Sequence, residues 1–285
     1  MKVKKQENFS KPGKIYNEDR AAFNKDSAWV IDGASGLAGN VITETSDAAW
    51  YSEWWNNYLL KNANDFSRSL KEILQNGLEL ITKEYAKLTE GKELVKLAKP
   101  SAGMVIVRKK GKKLEYLTLG DCMLVVKKGD EIKKIMLPEL EQLDKNVINY
   151  MTKIYKEGKY TSIIATRQDE EVKNRLAENR LKLNTPNGYW VMSFQPEAID
   201  NALTGTIEND NLQVLLMTDG FYAITNSYKY VDFKGLFNMI EQKGVKEVYS
   251  KLRQLEENDA DCNAFPRFKK SDDASVVYME LEPEL

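Results

Sequence analysis

The chain of 285 residues sets 42 Lys and Arg against 43 Asp and Glu for a formal net charge of -1, with 42% hydrophobic and 30% charged residues, two cysteines and no histidine. Imidazole is the side chain that titrates near neutrality and the commonest metal ligand, so its absence excludes Ser-His-Asp and Cys-His hydrolases, H-E-x-x-H zinc sites, histidine-held haem and phosphohistidine transfer. Cys122 and Cys262 alone make neither a cysteine-rich zinc site nor a disulfide framework, so any metal must be held by oxygen, which selects Mg, Mn or Ca.

Residues 1–7 lack the apolar core of a signal peptide and no run of about 18 apolar residues could span a bilayer, so the expectation is a cytoplasmic protein with no membrane partner. Balanced charge argues against a nucleic-acid partner. Lys109, Lys110, Lys112 and Lys113 flank Gly111 in what reads as a solvated hairpin turn.

In chain order, Ala21-Ala22-Phe23 and Ala28-Trp29-Val30-Ile31 read as two antiparallel strands about a turn at 24–26, the second stopping at Asp32-Gly33. A small-residue loop, 34–39, leads to Thr43 or Ser46 as the cap of a helix that carries Trp50, Trp54 and Tyr58 at i, i+4, i+8 as a core stripe. Leu70, Ile73, Leu74, Leu78, Ile81, Tyr85 and Leu88 predict a second helix over about 66–89, antiparallel to the first. After Pro100 the period becomes two. Segments 104–107, 114–119, 123–126 and 131–135 read as a meander of antiparallel strands broken at Gly120-Asp121.

Residues 138–183 are charged and helical. A turn at 184–188 precedes a strand at 189–193, and a short helix follows Pro196. The apolar strand 212–217 stops at Thr218-Asp219-Gly220, two helical segments fill about 232–257, and a last strand, 274–279, follows Asp272-Asp273. With no repeat, low-complexity tract or linker, residues 1–285 are expected to form a single α/β domain with mostly antiparallel sheets.

An acidic residue stands wherever an apolar strand meets a turn: Glu18-Asp19, Asp32-Gly33, Asp121, Asp219-Gly220 and Asp272-Asp273. Charges at buried strand ends are costly and are usually paired or metal-bound. Glycine after aspartate lets a backbone carbonyl approach a metal and takes conformations closed to other residues. Asp-Gly is also an ordinary turn, so the information lies in the ordered set rather than in any one member.

That set, Glu18-Asp19, Val30-Ile31-Asp32-Gly33, Leu119-Gly120-Asp121, Leu216-Met217-Thr218-Asp219-Gly220 and Asp272-Asp273-Ala274-Ser275, resembles the metal-dependent serine/threonine protein phosphatases of type 2C, the PPM family, as a divergent, bacterial-like member. The resemblance runs from about residue 12 to 280 with an atypical segment at about 138–210. It implies an α/β (α+β) fold, a four-layer αββα sandwich of two mainly antiparallel sheets flanked by helix pairs. It also implies two Mn2+ or Mg2+ ions. Asp32 would bridge both, Glu18 and the Gly33 carbonyl would complete one, and Asp219 and Asp272 would hold the other, with Asp19 hydrogen-bonding metal waters. Asp272 is preferred to Asp273 because the family pattern Asp-Asn-x-Ser/Thr aligns with Asp272-Asp273-Ala274-Ser275. The implied reaction is hydrolysis of a phosphomonoester, foremost in a phosphorylated protein, by a water that two metals activate, with Asp32 and Asp219 catalytic. Cys122, beside Asp121 in a strand, reads as a small buried hydrophobe rather than a nucleophile.

Three departures accompany the resemblance. Ala34 stands where the family often has a histidine acid, so aryl phosphates with good leaving groups should suffer least. Lys14 stands where an arginine usually grips the phosphate, a point charge in place of a bidentate fork. Asp121 matches one holder of a third metal, but Ala223 occupies the position of its partner, so a third ion would be weak. Two alternatives stay open: a catalytically weak or inactive phosphatase-like binding module, and a phosphatase of a small phosphorylated metabolite. Retention of Glu18, Asp32, Asp219 and Asp272 favours an active enzyme.

Overall fold

The computed structural model describes residues 2–91, 94–208 and 210–283. Among these, strands form two five-stranded antiparallel sheets. One sheet runs in the order β2 (Asp19–Phe23), β3 (Ser27–Ala34), β4 (Ser101–Lys110), β5 (Lys113–Leu119), β8 (Leu203–Glu208). The other runs β1 (Lys2–Lys11), β10 (Ala274–Glu282), β9 (Leu212–Met217), β6 (Met123–Lys128), β7 (Glu131–Ile135).

Strand alternation builds the layers. Successive side chains leave opposite faces of a strand, so Ala28 and Val30 enter the core between the sheets with Val105, Leu124, Leu216 and Val277. Trp29 and Ile31 turn the other way, toward α1 (Asp47–Asn62) and α2 (Leu70–Leu88). On the far side α6 (Asp219–Asn226), α7 (Phe233–Lys243) and α8 (Val245–Asn258) cover the second sheet around Val125, Leu215 and Tyr278. The order of layers is therefore helix, sheet, sheet, helix, as the resemblance implied.

Ser46, rather than Thr43, caps α1, its Oγ accepting from Ala49 N at 3.0 Å, and a Ser69–Glu72 capping box starts α2 at Leu70 rather than near 66. The expected stripe on α1 is displaced by one residue: Tyr51, Trp55, Tyr58 and Leu59 are buried, while Trp50 and Trp54 pack on the edge of the core. Trp54 stacks on Tyr58 with ring centroids 5.4 Å apart and donates to Glu84 at 2.7 Å. Aromatics at 50, 51, 54, 55 and 58 give two neighbouring stripes of the same period, and contact with the sheet selects between them.

The segments expected as one meander belong to two sheets: β4 pairs with β5 in the first, β6 with β7 in the second. Gly120-Asp121-Cys122 is the crossing. Gly120 has φ of +71°, and a Cβ there would lie 2.9 Å from Gly103 Cα, so glycine is required on both counts. Residues 189–193 form isolated bridges, Ala102 with Met192 and Leu183 with Tyr189, instead of the expected strand. Strands β1 and β8 and helix α6 were not anticipated. The two strands are sheet edges, where one side faces water and the apolar alternation is thin.

The 138–210 segment holds α3 (Glu139–Lys156), α4 (Glu170–Leu181), α5 (Glu197–Asp200) and β8. Val147, Met151, Ile154, Ile163 and Val172 make a small core there with Cys262. In the 109–113 turn Lys109 pairs with Asp26 and Lys113 with Glu208. No helix among the described residues is long and apolar enough to cross a membrane.

Candidate metal centre

The topology brings the acidic strand ends together. The β2–β3 hairpin sets Asp19 opposite Asp32. Asp219 follows the end of β9, Asp272 precedes the start of β10 beside it, and Asp121 lies at the crossing from β5 to β6. Two glycines make the approach possible. A Cβ on Gly33 would lie 2.4 Å from both Glu18 O and Ser52 Oγ, and one on Gly220 would lie 1.9 Å from Asp273 O. Neither glycine has a positive φ, so space, rather than the unusual backbone conformation expected from the sequence, is what excludes a side chain.

Crowded, buried carboxylates hold protons. Burial, then the charge of Asp273, lifts the Asp19 carboxyl well above the usual range, although Thr218 Oγ1 donates to it at 2.8 Å. Burial, then Asp19 and Asp219, does the same to Asp32. Asp219 is pushed up to about 7 by burial and by Asp272 and Asp121, partly offset by Lys269 and by a hydrogen bond from Asp32. Because the charge of Asp219 raises Asp32, the two carboxyls titrate as a pair.

Glu18 is held from several sides. Its Oε1 accepts from Ser35 Oγ at 2.8 Å and from Ser46 Oγ, and its carbonyl accepts from Gly33 N at 3.2 Å and Ser52 Oγ at 2.5 Å. The two Asp acids before β10 differ in use. Asp273 accepts from Gly13 N at 2.8 Å and Glu18 N at 2.6 Å, so both its oxygens brace the 12–18 loop. Asp272 instead pairs with Lys269. Lys14 is exposed and pairs with none of the described carboxylates. Cys122 is buried and unoxidised, and burial raises its thiol pKa, which fits a packing role.

A cleft of about 170 Å³ opens beside the strand ends, walled by Asp121, Asp144, Asp219, Tyr222, Lys269 and Asp272 among others; Glu18, Asp19 and Asp32 are not part of its wall. Three of these residues, Asp144, Tyr222 and Lys269, escaped the sequence reading. Asp144 comes from α3 and is pushed up to about 7 by burial and by Asp219 and Asp272. Asp121 is pushed up to about 7 by burial, then by Asp144. Lys269 comes from the loop before β10. Arg180 of α4 ties the atypical segment to the site, donating to Ser101 Oγ and Lys99 O at 2.8 Å each and to Ala34 O at 3.4 Å. Spacing could not have found Asp144, because its helix meets the site only through the tertiary fold. A lysine three residues before Asp272 was legible as a charge, though not as one turned inward.

The donor set suits hard divalent cations: all oxygen, mostly carboxylate, and carrying more negative charge than Lys269 can balance. Among the described residues no three acids stand as a ready-made ligand cage. Asp272 pairs with Lys269.

The family model for protein phosphatase 2C matches residues 13–255. No curated protein sequence matches the chain. Among solved structures, the Mycobacterium tuberculosis serine/threonine phosphatase PstP/Ppp is similar at 15% identity, with 98% of each chain covered and a TM-score of 0.58. The catalytic domain of PstP in complex with 2 manganese ions gives 14% identity, 98% of each chain and 0.54. PppA of Pseudomonas aeruginosa gives 15%, 97% of each chain and 0.54. At such identities these likenesses speak to the fold.

Proposed function

From the premise that the chain belongs to the protein phosphatase 2C family of metal-dependent serine/threonine phosphatases, we propose that its cleft hydrolyses phosphoserine and phosphothreonine in proteins, with Asp32, Asp219, Asp272, Glu18 and the Gly33 carbonyl as the metal-holding groups. The observation that carries this reading is the meeting of aspartates from separate strand ends, Asp32 and Asp219 among them, whose crowded charges raise their carboxyl pKa values. Two bound ions would supply an activated water and neutralise charge on the transferring phosphoryl group.

The chain's own residues supply position. Ser35 and Ser46 hold Glu18, Thr218 holds Asp19, and Asp273 fixes the loop that carries Glu18. Asp32 and Asp219 must both be ionised before both can ligate. Asp19, opposite Asp32 and accepting from Thr218, would be a hydrogen-bonding neighbour of the ligands. Asp121 and Asp144 face the cleft from opposite elements, so α3 supplies acid on the side where Ala223 has none. With Ala34 in place of an imidazole, leaving-group protonation is the step the chain supports least.

The test uses purified protein, a phosphothreonine peptide and p-nitrophenyl phosphate. Turnover of both with Mn2+ or Mg2+, abolished by EDTA, is expected. Turnover that survives EDTA refutes the metal mechanism, and turnover of the aryl phosphate with none of the peptide refutes the substrate class.

A further inference from the structure

Lys269 lies in the loop between α8 and β10, where residues 266–270 line the cleft and its charged neighbours are tied to partners outside the acidic cluster. Arg267 is fixed to the end of α8, its Nη1 donating to Asp259 Oδ2 at 2.6 Å and to Phe265 O at 2.8 Å, while its guanidinium lies 5.4 Å from the Tyr228 ring centroid. Its Nε donates to Lys270 O at 3.1 Å, clamping the backbone just past Lys269. Lys270 reaches away, to Glu257 at 2.5 Å. Between these anchors the Lys269 ammonium enters the cleft wall and pairs with Asp272 Oδ1.

We propose that the Lys269 ammonium is a resident counter-ion that competes with divalent metal for Asp272, holding the metal-free cluster together and giving way when the ions bind. The inference rests on the two-metal reading above. It follows from charge and place: the ammonium takes up the carboxylate that would ligate, and a divalent ion must either displace it or sit beside a like charge at short range. Because binding of each cation is linked to loss of the other, the effect on affinity is reciprocal.

The test compares wild type, Lys269→Gln and Lys269→Arg by calorimetric Mn2+ titration and by melting in EDTA. Lys269→Gln should bind Mn2+ on the order of tenfold tighter or more and melt lower in EDTA, with Lys269→Arg near wild type in both. A purely structural lysine would lower the melting point without tightening metal, so unchanged or weaker Mn2+ affinity in Lys269→Gln overturns the proposal. Absence of Mn2+ binding to all three proteins overturns the two-metal reading as well, which separates the two failures. Should Lys269→Gln not fold, amine acetylation of wild type followed by mass spectrometry decides: Lys269 should be shielded in EDTA and labelled faster with Mn2+, and equal labelling overturns the idea.

Discussion

Asp219→Asn should stabilise the metal-free protein while abolishing its response to metal. The folded protein pushes the Asp219 carboxyl from 3.8 up to about 7, through burial and the charges of Asp272 and Asp121. At pH 8 the group is ionised in both states, and the folded state carries an anion it disfavours by about three pK units, a ceiling of about 4 kcal/mol at 1.36 kcal/mol per unit. Coupling to Asp32 spreads that cost over two groups, so a gain of about 2–4 kcal/mol is expected on removing the charge. Asparagine keeps an oxygen that can accept from Asp32. With roughly 2.1 cal/mol/K of unfolding entropy per residue, a chain of 285 residues should melt about 3–7 °C higher. The assay is calorimetric melting at pH 8 in EDTA and then in Mn2+, with phosphatase activity alongside. A variant that melts below wild type in EDTA, or one that keeps wild-type Mn2+ stabilisation and turnover, refutes the reasoning.

The pH dependence follows from the same groups. Asp19, Asp32, Asp121, Asp144 and Asp219 all have raised folded pKa values, so the folded state binds more protons than the unfolded one between about 4 and about 7. The stability these groups contribute is complete below the unfolded value and is lost as pH rises through the folded value. In EDTA the melting point should therefore fall from pH 5 to pH 8, and saturating Mn2+ should flatten or reverse the trend; a curve that rises in EDTA contradicts the assignment. Gly220→Ala should lower the melting point and weaken Mn2+ binding, because its Cβ would lie 1.9 Å from Asp273 O and backbone must move. A loss of about 2 kcal/mol or more is expected, and a variant with unaltered melting and Mn2+ affinity would mean the β9–α6 junction has slack.

The parts of the fold legible in the sequence are those where burial on one face repeats. α2 shows its stripe because only one side of it is apolar, from Leu70 to Tyr85. α1 misleads because aromatics occupy two adjacent stripes, and choosing between them takes the packing against Trp29 and Ile31. β1 and β8 are faint because an edge strand needs little apolar surface, and its partner's backbone does the pairing. The β4–β7 run shows every strand and hides the partition into two sheets, since a three-residue crossing at Gly120-Asp121-Cys122 looks like any other turn. That crossing is also what sets Asp121 at the cleft.

The site divides along the same physical line. Carboxylates at the ends of apolar strands are conspicuous in one dimension, because a charge next to a buried run demands a partner. What balances them is not conspicuous. Asp144 and Arg180 act from helices whose position is a property of the tertiary fold, and Lys269 differs from Lys270 only in the direction it faces. Lys14, chosen by position in a motif, remains in solvent. The consequence is chemical. With no histidine in the chain, what stands against the cluster's charge is the raised pKa of its carboxyls and one ammonium, so loading divalent cations should displace both protons and ammonium. Raising the pH removes the protons and Lys269→Gln removes the ammonium, and each change should tighten Mn2+ binding through a different group. Their effects should therefore add, unless the two cations share one carboxylate.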